Sequence, residues 1–182
     1  MRVITGTARG VRLTTPDGMD TRPTTDKVKE AIFSAIQFEL DGARFLDLFA
    51  GSGQMGIEAL SRGAKNCVFI DSSRVAVKTI QENLQRTKLA DRATVLCTDA
   101  ARYLSTGTEK FDLIFLDPPY HQGIPQRLFS QLKPVLAPGG TVIIETASDE
   151  TPPEELPFLR FYRQYRYGYI LVTVYHREDS EA

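Results

Sequence analysis

Four consecutive residues, Asp117-Pro118-Pro119-Tyr120, follow FDLIFL, an apolar run of strand length. Open α/β sheets bind their ligands outside the carboxyl ends of the strands, where this tetrapeptide would lie. Two successive prolines fix φ and remove two N–H donors, so the backbone is stiff and rich in acceptors. The Asp117 carboxylate and the Pro118 carbonyl can therefore accept from one exocyclic amine, while Tyr120 offers a ring on which its base can stack.

These acceptors predict methyl transfer to an amine bonded to an aromatic ring. Such a nitrogen is a weak nucleophile because its lone pair is delocalised into the ring. Two acceptors on its hydrogens orient the lone pair and share the charge that develops on nitrogen. The displacement needs no metal and no covalent enzyme intermediate. The alternative is a rigid Pro-Pro loop end with a surface tyrosine.

A glycine-rich turn from Asp47 to Gly56 ends an earlier strand and opens a helix. Glycines allow a tight turn and a close approach to a ligand, and the helix N-terminus offers free N–H groups to an anion. Gly51, Gly53 and Gly56 satisfy G-x-G-x-x-G, the dinucleotide fingerprint. The motif predicts an adenine-containing cofactor without identifying it, and a purely structural βα turn is the alternative.

Two acids follow the next two strands. Asp71 closes CVFID about 20 residues after Gly51, where an acid can accept from both ribose hydroxyls of either NAD or S-adenosylmethionine. Asp99-Ala100 follows ATVLC, where the carboxylate could accept from the adenine amine. Both acids could instead be helix N-caps.

A parallel sheet would bring these residues together. Five apolar runs of strand length alternate with four helical patterns. The runs are FLDLF, CVFID, ATVLC, FDLIFLD and TVIIET, and the helical patterns lie near 54–62, 73–88, 99–105 and 123–136. This alternation predicts a doubly wound, Rossmann-like α/β sheet whose strands are covered on both faces. FLRFYRQYRY and GYILVTVYH, separated by Gly168, predict a terminal hairpin. We therefore expect seven strands, the last one antiparallel.

Residues 1–25 form an irregular head with short β-like pieces near Val3-Ile4 and 11–13, followed by a helix from about Asp26 to Leu40. We treat 1–25 as an extension that is not an independent domain, and 26–182 as the main domain. Arg2, Arg9 and Arg12 stand in the head with no acid among the first 12 residues, which predicts RNA contact. Arg22 and Thr24 belong to Thr-Arg-Pro-Thr, a segment that either folds over the cofactor or target base or is a mobile connector.

Composition limits the remaining possibilities. The 182 residues are 42% hydrophobic, enough for one core, and 22 Lys+Arg against 23 Asp+Glu give a net charge of -1. A polybasic binder is therefore excluded, and any nucleic-acid surface must be local. The N-terminal sequence shows no secretory signal, and no apolar run is long enough to span a membrane. We expect Cys67 and Cys97 to be buried free thiols in a reducing cytoplasm, with no metal site.

Two further features could be functional, but a purely structural interpretation is favoured for each. Aromatic residues alternate with Arg160, Arg163 and Arg166, a pattern that could contact RNA phosphates and stack on bases. The favoured interpretation is a strand with alternating exposed charges. His121 could relay the proton released from the methylated amine, but a solvent-facing loop histidine is favoured.

Four parts of the sequence carry a family resemblance: MRVITGTARGVRLTTP, DTRPTTDKVKEAIFSAI, LDLFAGSGQMGIEALSRGA, and Asp-Pro-Pro-Tyr after the fourth strand. Together they closely resemble the RsmD family of bacterial 16S rRNA (guanine-N2)-methyltransferases. The resemblance covers nearly the whole chain. It implies S-adenosylmethionine as cofactor and action on a small-subunit assembly intermediate. It implies a guanine amine handled by Asp117, Pro118 and Tyr120, and cofactor contacts at Asp47, Gly51, Gly53, Asp71 and the Asp99-Ala100 pair. The chain departs from the family at Asp71, where Glu is frequent, and at Gln54-Met55, where smaller residues are frequent.

Three alternatives remain open from the residues alone. One is an amino-methyltransferase with another target, such as adenine N6 in DNA or a glutamine amide in a protein. The second is a nicotinamide oxidoreductase, and the third is a non-catalytic RNA-binding assembly factor. We expect a monomeric cytoplasmic enzyme that uses no membrane and no metal.

Overall fold

A computed structural model describes residues 1–18 and 25–178, which form one seven-stranded sheet in the order β3-β2-β1-β4-β5-β7-β6. Strands β1 to β5 pair in parallel, and β7 runs antiparallel to both β5 and β6. The predicted Rossmann-like sheet with an antiparallel last strand is confirmed. The strands are β1 Arg44–Leu48, β2 Asn66–Asp71, β3 Ala93–Cys97, β4 Phe111–Leu116, β5 Leu136–Ala147, β6 Leu159–Tyr167 and β7 Ile170–Arg177.

Helices cover both faces of the sheet and enclose two apolar clusters, one containing Ile57 and Ile80 and the other Leu104 and Leu128. The predicted helix from Asp26 to Leu40 is divided at Ile36, which leaves helical geometry with φ -110 and ψ 11. None of the helices within 1–18 and 25–178 could cross a membrane. The α-helices are α1 Asp26–Ala35, α2 Gln37–Leu40, α3 Gln54–Ser61, α4 Arg74–Thr87, α5 Ala100–Thr106 and α6 Ile124–Phe129, with 3₁₀ turns at Ala90–Arg92 and Ser130–Val135.

The two cysteines lie in different environments. Cys67 on β2 is buried, whereas Cys97 at the end of β3 is exposed, so the predicted burial of both thiols is wrong for Cys97. β3 is one of the two edge strands of the sheet, and its residues are half-buried or exposed. An apolar run such as ATVLC does not reveal which strand will lack a second neighbour.

The head packs directly against α3. Glu58 accepts the backbone N–H groups of Ile4 at 2.8 Å and Thr5 at 3.1 Å, and it forms a fully buried ion pair with Lys29 at 3.3 Å. Gly6 has φ +94, and a Cβ there would lie 1.8 Å from the Ser61 carbonyl oxygen, so only glycine fits this approach. These contacts fix the head against α3.

Candidate active site

A cavity of about 960 Å³ lies at the carboxyl edge of the parallel strands. This is the location that open α/β sheets use for ligands, and the volume suits a small-molecule cofactor. Five of the predicted site residues line it: Gly51, Asp71, Asp117, Pro118 and Tyr120. Asp47, Gly53, Asp99 and Ala100 are not among the residues that line it.

Asp47 lies beneath the glycine turn. Its carboxylate is buried and accepts the N–H of Gly56 at 3.0 Å, within the first turn of α3. Burial raises the pKa of Asp47, and the nearby charge of Asp71 raises it further. Gly53 has φ +81 at the start of α3, and a Cβ on Gly56 would lie 2.3 Å from the Phe69 ring. In this structure Asp47, Gly53 and Gly56 therefore shape the turn from behind.

Asp71 and Gly51 face the cavity together. One carboxylate oxygen of Asp71 accepts the N–H of Gly51 at 2.9 Å, and the other accepts the N–H of Ser73 at 2.9 Å. Ser73 is the N-cap of α4, so the helix does not need Asp71 as its cap. Each carboxylate oxygen keeps a lone pair for a further donor. A Cβ on Gly51 would meet nothing within 4 Å, which leaves the backbone open to a ligand.

Asp99 is the N-cap of α5. Its carboxylate accepts the N–H of Ala101 at 3.0 Å, and the residue is exposed, whereas Ala100 is buried. The N-cap interpretation is thus realised in the structure. Contact of Asp99 and Ala100 with adenine stays a prediction.

Asp117 and Tyr120 lie beside a third polar residue that the sequence patterns did not single out. Glu145, near the end of β5, is 2% exposed, and its Oε1 accepts the Tyr120 hydroxyl at 3.0 Å. Burial raises the pKa of Asp117, and the charges of Glu145 and Asp47 raise it further. Burial and Glu145 also raise the pKa of Tyr120, so its hydroxyl remains protonated. A donor-rich or cationic ligand would stabilise the charged form of these carboxyl groups.

His121 connects two loops at the cavity. It has φ +62, its Nε2 lies 2.7 Å from Asp149 Oδ1, and its backbone N–H donates to Glu150. The hydrogen bond to Asp149 raises the pKa of His121. The side chain is 59% exposed, which confirms the favoured interpretation of a solvent-facing loop histidine.

Several lining residues were not predicted from the sequence. Phe49 has φ +60, a left-handed conformation that is unusual for a bulky side chain. Gln54 lines the cavity, and its Oε1 is buried without a hydrogen-bond partner among the residues described. The head also reaches the cavity, through Met1, Thr15 and Pro16.

The predicted RNA-contacting arginines project from an anchored head. Arg2 pairs with Arg12 in an antiparallel bridge, close to the predicted β-like pieces. Lys29 donates to the Arg2 carbonyl at 2.9 Å and Arg86 to the Arg12 carbonyl at 3.2 Å. Arg2, Arg9 and Arg12 are exposed. Arg22 and Thr24, the other two predicted substrate residues, lie outside the described residues.

Relatives of known name match this chain over most of its length. Residues 1–176 match the family described as conserved hypothetical protein 95. The Escherichia coli K12 protein named ribosomal RNA small subunit methyltransferase D is 31% identical, over 100% of this chain and 94% of its own. A Bacillus subtilis protein, provisionally named an rRNA methyltransferase, is 41% identical over 97% of this chain and 99% of its own.

Solved structures give the same grouping. One from Escherichia coli, provisionally named a methyltransferase, is 31% identical with a TM-score of 0.90 and covers 99% of both chains. An RNA methyltransferase from Salinibacter ruber in complex with S-adenosyl-L-homocysteine shares the fold at 17% identity and a TM-score of 0.70, over 88% of this chain and 97% of its own. The chain therefore belongs to the family described as conserved hypothetical protein 95, the RsmD family, and is a methyltransferase of that type rather than a nicotinamide oxidoreductase.

Proposed function

We propose that this protein transfers a methyl group from S-adenosylmethionine to the exocyclic N2 amine of a guanine in 16S ribosomal RNA. The observation that carries the proposal is that Asp117, Pro118 and Tyr120 line the same cavity as Gly51 and Asp71. The name of the Escherichia coli relative supports a small-subunit rRNA substrate. The S-adenosyl-L-homocysteine complex of the Salinibacter ruber protein supports the donor.

The glycine-turn side of the cavity fits a nucleoside joined to an amino acid. The free lone pairs of Asp71 suit the two ribose hydroxyls, and the open backbone at Gly51 allows close approach. The amide of Gln54, with its unpartnered oxygen, suits the α-amino acid end. The proposed cofactor set also includes Asp47, Gly53, Asp99 and Ala100. Asp47 and Gly53 would act indirectly, by shaping the turn that contacts the cofactor. Bound here, the cofactor supplies a methyl group on a sulfonium that leaves as a neutral thioether.

The acceptor side of the cavity would hold the target amine. The Asp117 carboxylate and the Pro118 carbonyl accept from the two hydrogens on nitrogen, which turns its lone pair towards the methyl group. Tyr120 stacks on the base, and its hydroxyl is held by Glu145 at 3.0 Å. As bond formation makes the nitrogen cationic, the buried carboxylates stabilise that charge. The extra proton then leaves to water.

The head would hold the RNA around the target. The exposed head arginines are Arg2, Arg9 and Arg12. Because the head also lines the cavity, through Met1 and Thr15, these arginines are placed to contact phosphates near the target. We include Arg22 and Thr24 among the proposed RNA contacts. The guanine must leave its stack to enter the cavity, at a cost of about a few kcal/mol unless it already lies in a loop. We assign 1–25 to this RNA-contacting role, 26–182 to methyl transfer, and the reaction to a cytoplasmic small-subunit assembly intermediate.

The test is radiolabelled methyl transfer to small ribosomal subunits from cells that lack this protein, followed by identification of the labelled nucleoside. We expect N2-methylguanosine in 16S rRNA, and no incorporation into subunits from cells that contain the protein. Label in N6-methyladenosine or in a ribosomal protein would contradict the proposed target. No incorporation at all would contradict the proposed activity.

A further inference from the structure

The turn between β6 and β7 places an exposed aromatic ring at the cavity. Tyr169 is 79% exposed and is one of the residues that line the cavity. Gly168, with φ +56, and Tyr169 form a two-residue turn between the paired residues Tyr167 and Ile170. Single exposed aromatic rings are common on protein surfaces, but this one also lines the cavity of the proposed active site.

The backbone that carries this ring is fixed. The Tyr169 carbonyl accepts the N–H of Ser148 at 2.9 Å, and Ser148 follows β5 and also lines the cavity. The hairpin turn is thereby tied to the strand that carries Glu145. A tyrosine has only two side-chain torsions, so a ring presented in this way loses little conformational entropy when it binds a ligand.

Two cationic side chains lie near the turn between β6 and β7. Lys27 Nζ lies 5.9 Å from the centroid of the Tyr167 ring, and Arg166 is exposed on β6. The acidic residue that lines the cavity on this side, Asp149, is already paired with His121. Aromatic rings beside cations bind single-stranded RNA, because bases stack on the rings while the cations contact phosphates.

We propose that Tyr169 is a stacking platform for the nucleotide next to the target guanine. The proposal rests on the function proposed above and adds a second base-binding position to the one at Tyr120. When the guanine leaves its stack, the neighbouring base loses a stacking partner. A ring at the cavity entrance replaces that partner and offsets part of the cost of extruding the target.

The test compares Tyr169→Ala, Tyr169→Phe and a control, Phe38→Ala, in methyl transfer to small subunits from cells that lack the protein. Phe38 is 95% exposed on α2 and does not line the cavity. We expect Tyr169→Ala to raise KM for the subunit about tenfold, since one stacked base is lost. Tyr169→Phe keeps the ring and Phe38→Ala leaves the cavity intact, so both should retain the wild-type KM.

Binding of S-adenosylhomocysteine, measured by calorimetry, should be unchanged in all three variants. A wild-type KM for Tyr169→Ala would overturn the platform, as would an equal loss of S-adenosylhomocysteine affinity, which would make Tyr169 a cofactor residue. If the wild-type protein itself transfers no methyl group, the proposed function fails. If the wild-type protein is active and Tyr169→Ala matches it, only the platform fails.

Discussion

The two sides of the cavity differ in the surroundings of their main carboxylates. On the glycine-turn side, defined by residues 47–56 and 71–73, Asp47 and Asp71 accept backbone N–H groups. On the acceptor side, defined by residues 117–121 and 145–150, Asp117 and Glu145 raise the local negative charge, and Tyr120 donates to Glu145. On the first side both carboxylates hold the backbone of the turn in shape. On the second side Glu150 likewise accepts the backbone N–H groups of His121 and Ala147, but Asp117 lines the cavity, where it can meet a ligand. The first arrangement suits cofactor binding and the second suits chemistry.

The largest effect should come from Asp117→Ala. Loss of the principal acceptor should lower kcat by about 10²- to 10³-fold, because it removes stabilisation of the charge that develops on nitrogen. S-adenosylhomocysteine affinity should stay within about twofold of wild type, because the glycine-turn side is untouched. Single-turnover methyl transfer and calorimetry measure the two quantities.

A matched control for this variant is Asp112→Ala on the same strand. Asp112 accepts the backbone N–H of Arg44 at 2.9 Å and does not line the cavity, so its loss should leave kcat unchanged. If Asp117→Ala turned over at a near-normal rate, the acceptor side could not be assigned to chemistry and the comparison of the two sides would fail.

Asp71→Ala should produce the converse pattern. Removal of charge-assisted hydrogen bonds to the ribose should weaken S-adenosylhomocysteine binding by about 10- to 100-fold. At saturating cofactor, kcat should recover to within about threefold of wild type, since the acceptor side is intact. Calorimetry combined with cofactor saturation curves checks this. A kcat that stays as low as that of Asp117→Ala would contradict it.

Glu145→Gln should change the pH dependence of the reaction. Glu145 raises the pKa of Asp117, so neutralising it should lower that pKa and let the Asp117 carboxylate persist at more acid pH. The acid limb of the single-turnover pH–rate profile should therefore move to lower pH, although only in part, because burial remains the largest cause of the raised pKa. Loss of one charge should also lower the plateau rate by about tenfold.

Tyr120→Phe separates this effect from the loss of a hydrogen bond. It removes the hydroxyl that Glu145 holds but keeps both carboxylates, so its acid limb should stay at the wild-type position. An acid limb for Glu145→Gln that stays in place, or moves to higher pH, would show that Glu145 does not act on Asp117.

The smallest effect concerns His121 and Asp149. Their hydrogen bond raises the pKa of His121 above its ordinary value of about 6.5, so the contact is strongest below that pH and is lost as pH rises through the raised pKa. NMR titration of His121 should show the raised value, and Asp149→Asn should bring it down. The kcat of Asp149→Asn should change less than twofold, because the released proton leaves to water. A large loss of kcat would instead support a proton relay.

The sequence predicted the parts of the site that depend on where strands end. Asp117, Asp71 and Gly51 each follow an apolar run, and parallel strands bring their carboxyl ends to one edge. Glu145 also follows an apolar run within TVIIET, but the run alone does not show that its side chain meets Tyr120. It meets Tyr120 because β5 pairs with β4 in the register that aligns Leu116 with Ile144.

Long-range packing explains the other differences. Cys97 is exposed because β3 is at the edge of the sheet, and strand order is not encoded in a single apolar run. Met1 and Pro16 line the cavity, and two residues far along the chain hold the backbone of the head, Glu58 at Ile4 and Asn83 at Thr14. Both outcomes depend on contacts between distant segments rather than on local pattern.

The most direct test of the proposed chemistry is a crystal structure of the protein with S-adenosylhomocysteine and an RNA fragment that contains the target guanine. The predicted result is a guanine N2 about 3 Å from both the Asp117 carboxylate and the Pro118 carbonyl, with the base stacked on Tyr120 and the nitrogen facing the sulfur. A guanine bound with N2 turned away from these two oxygens, or held outside the cavity, would contradict it.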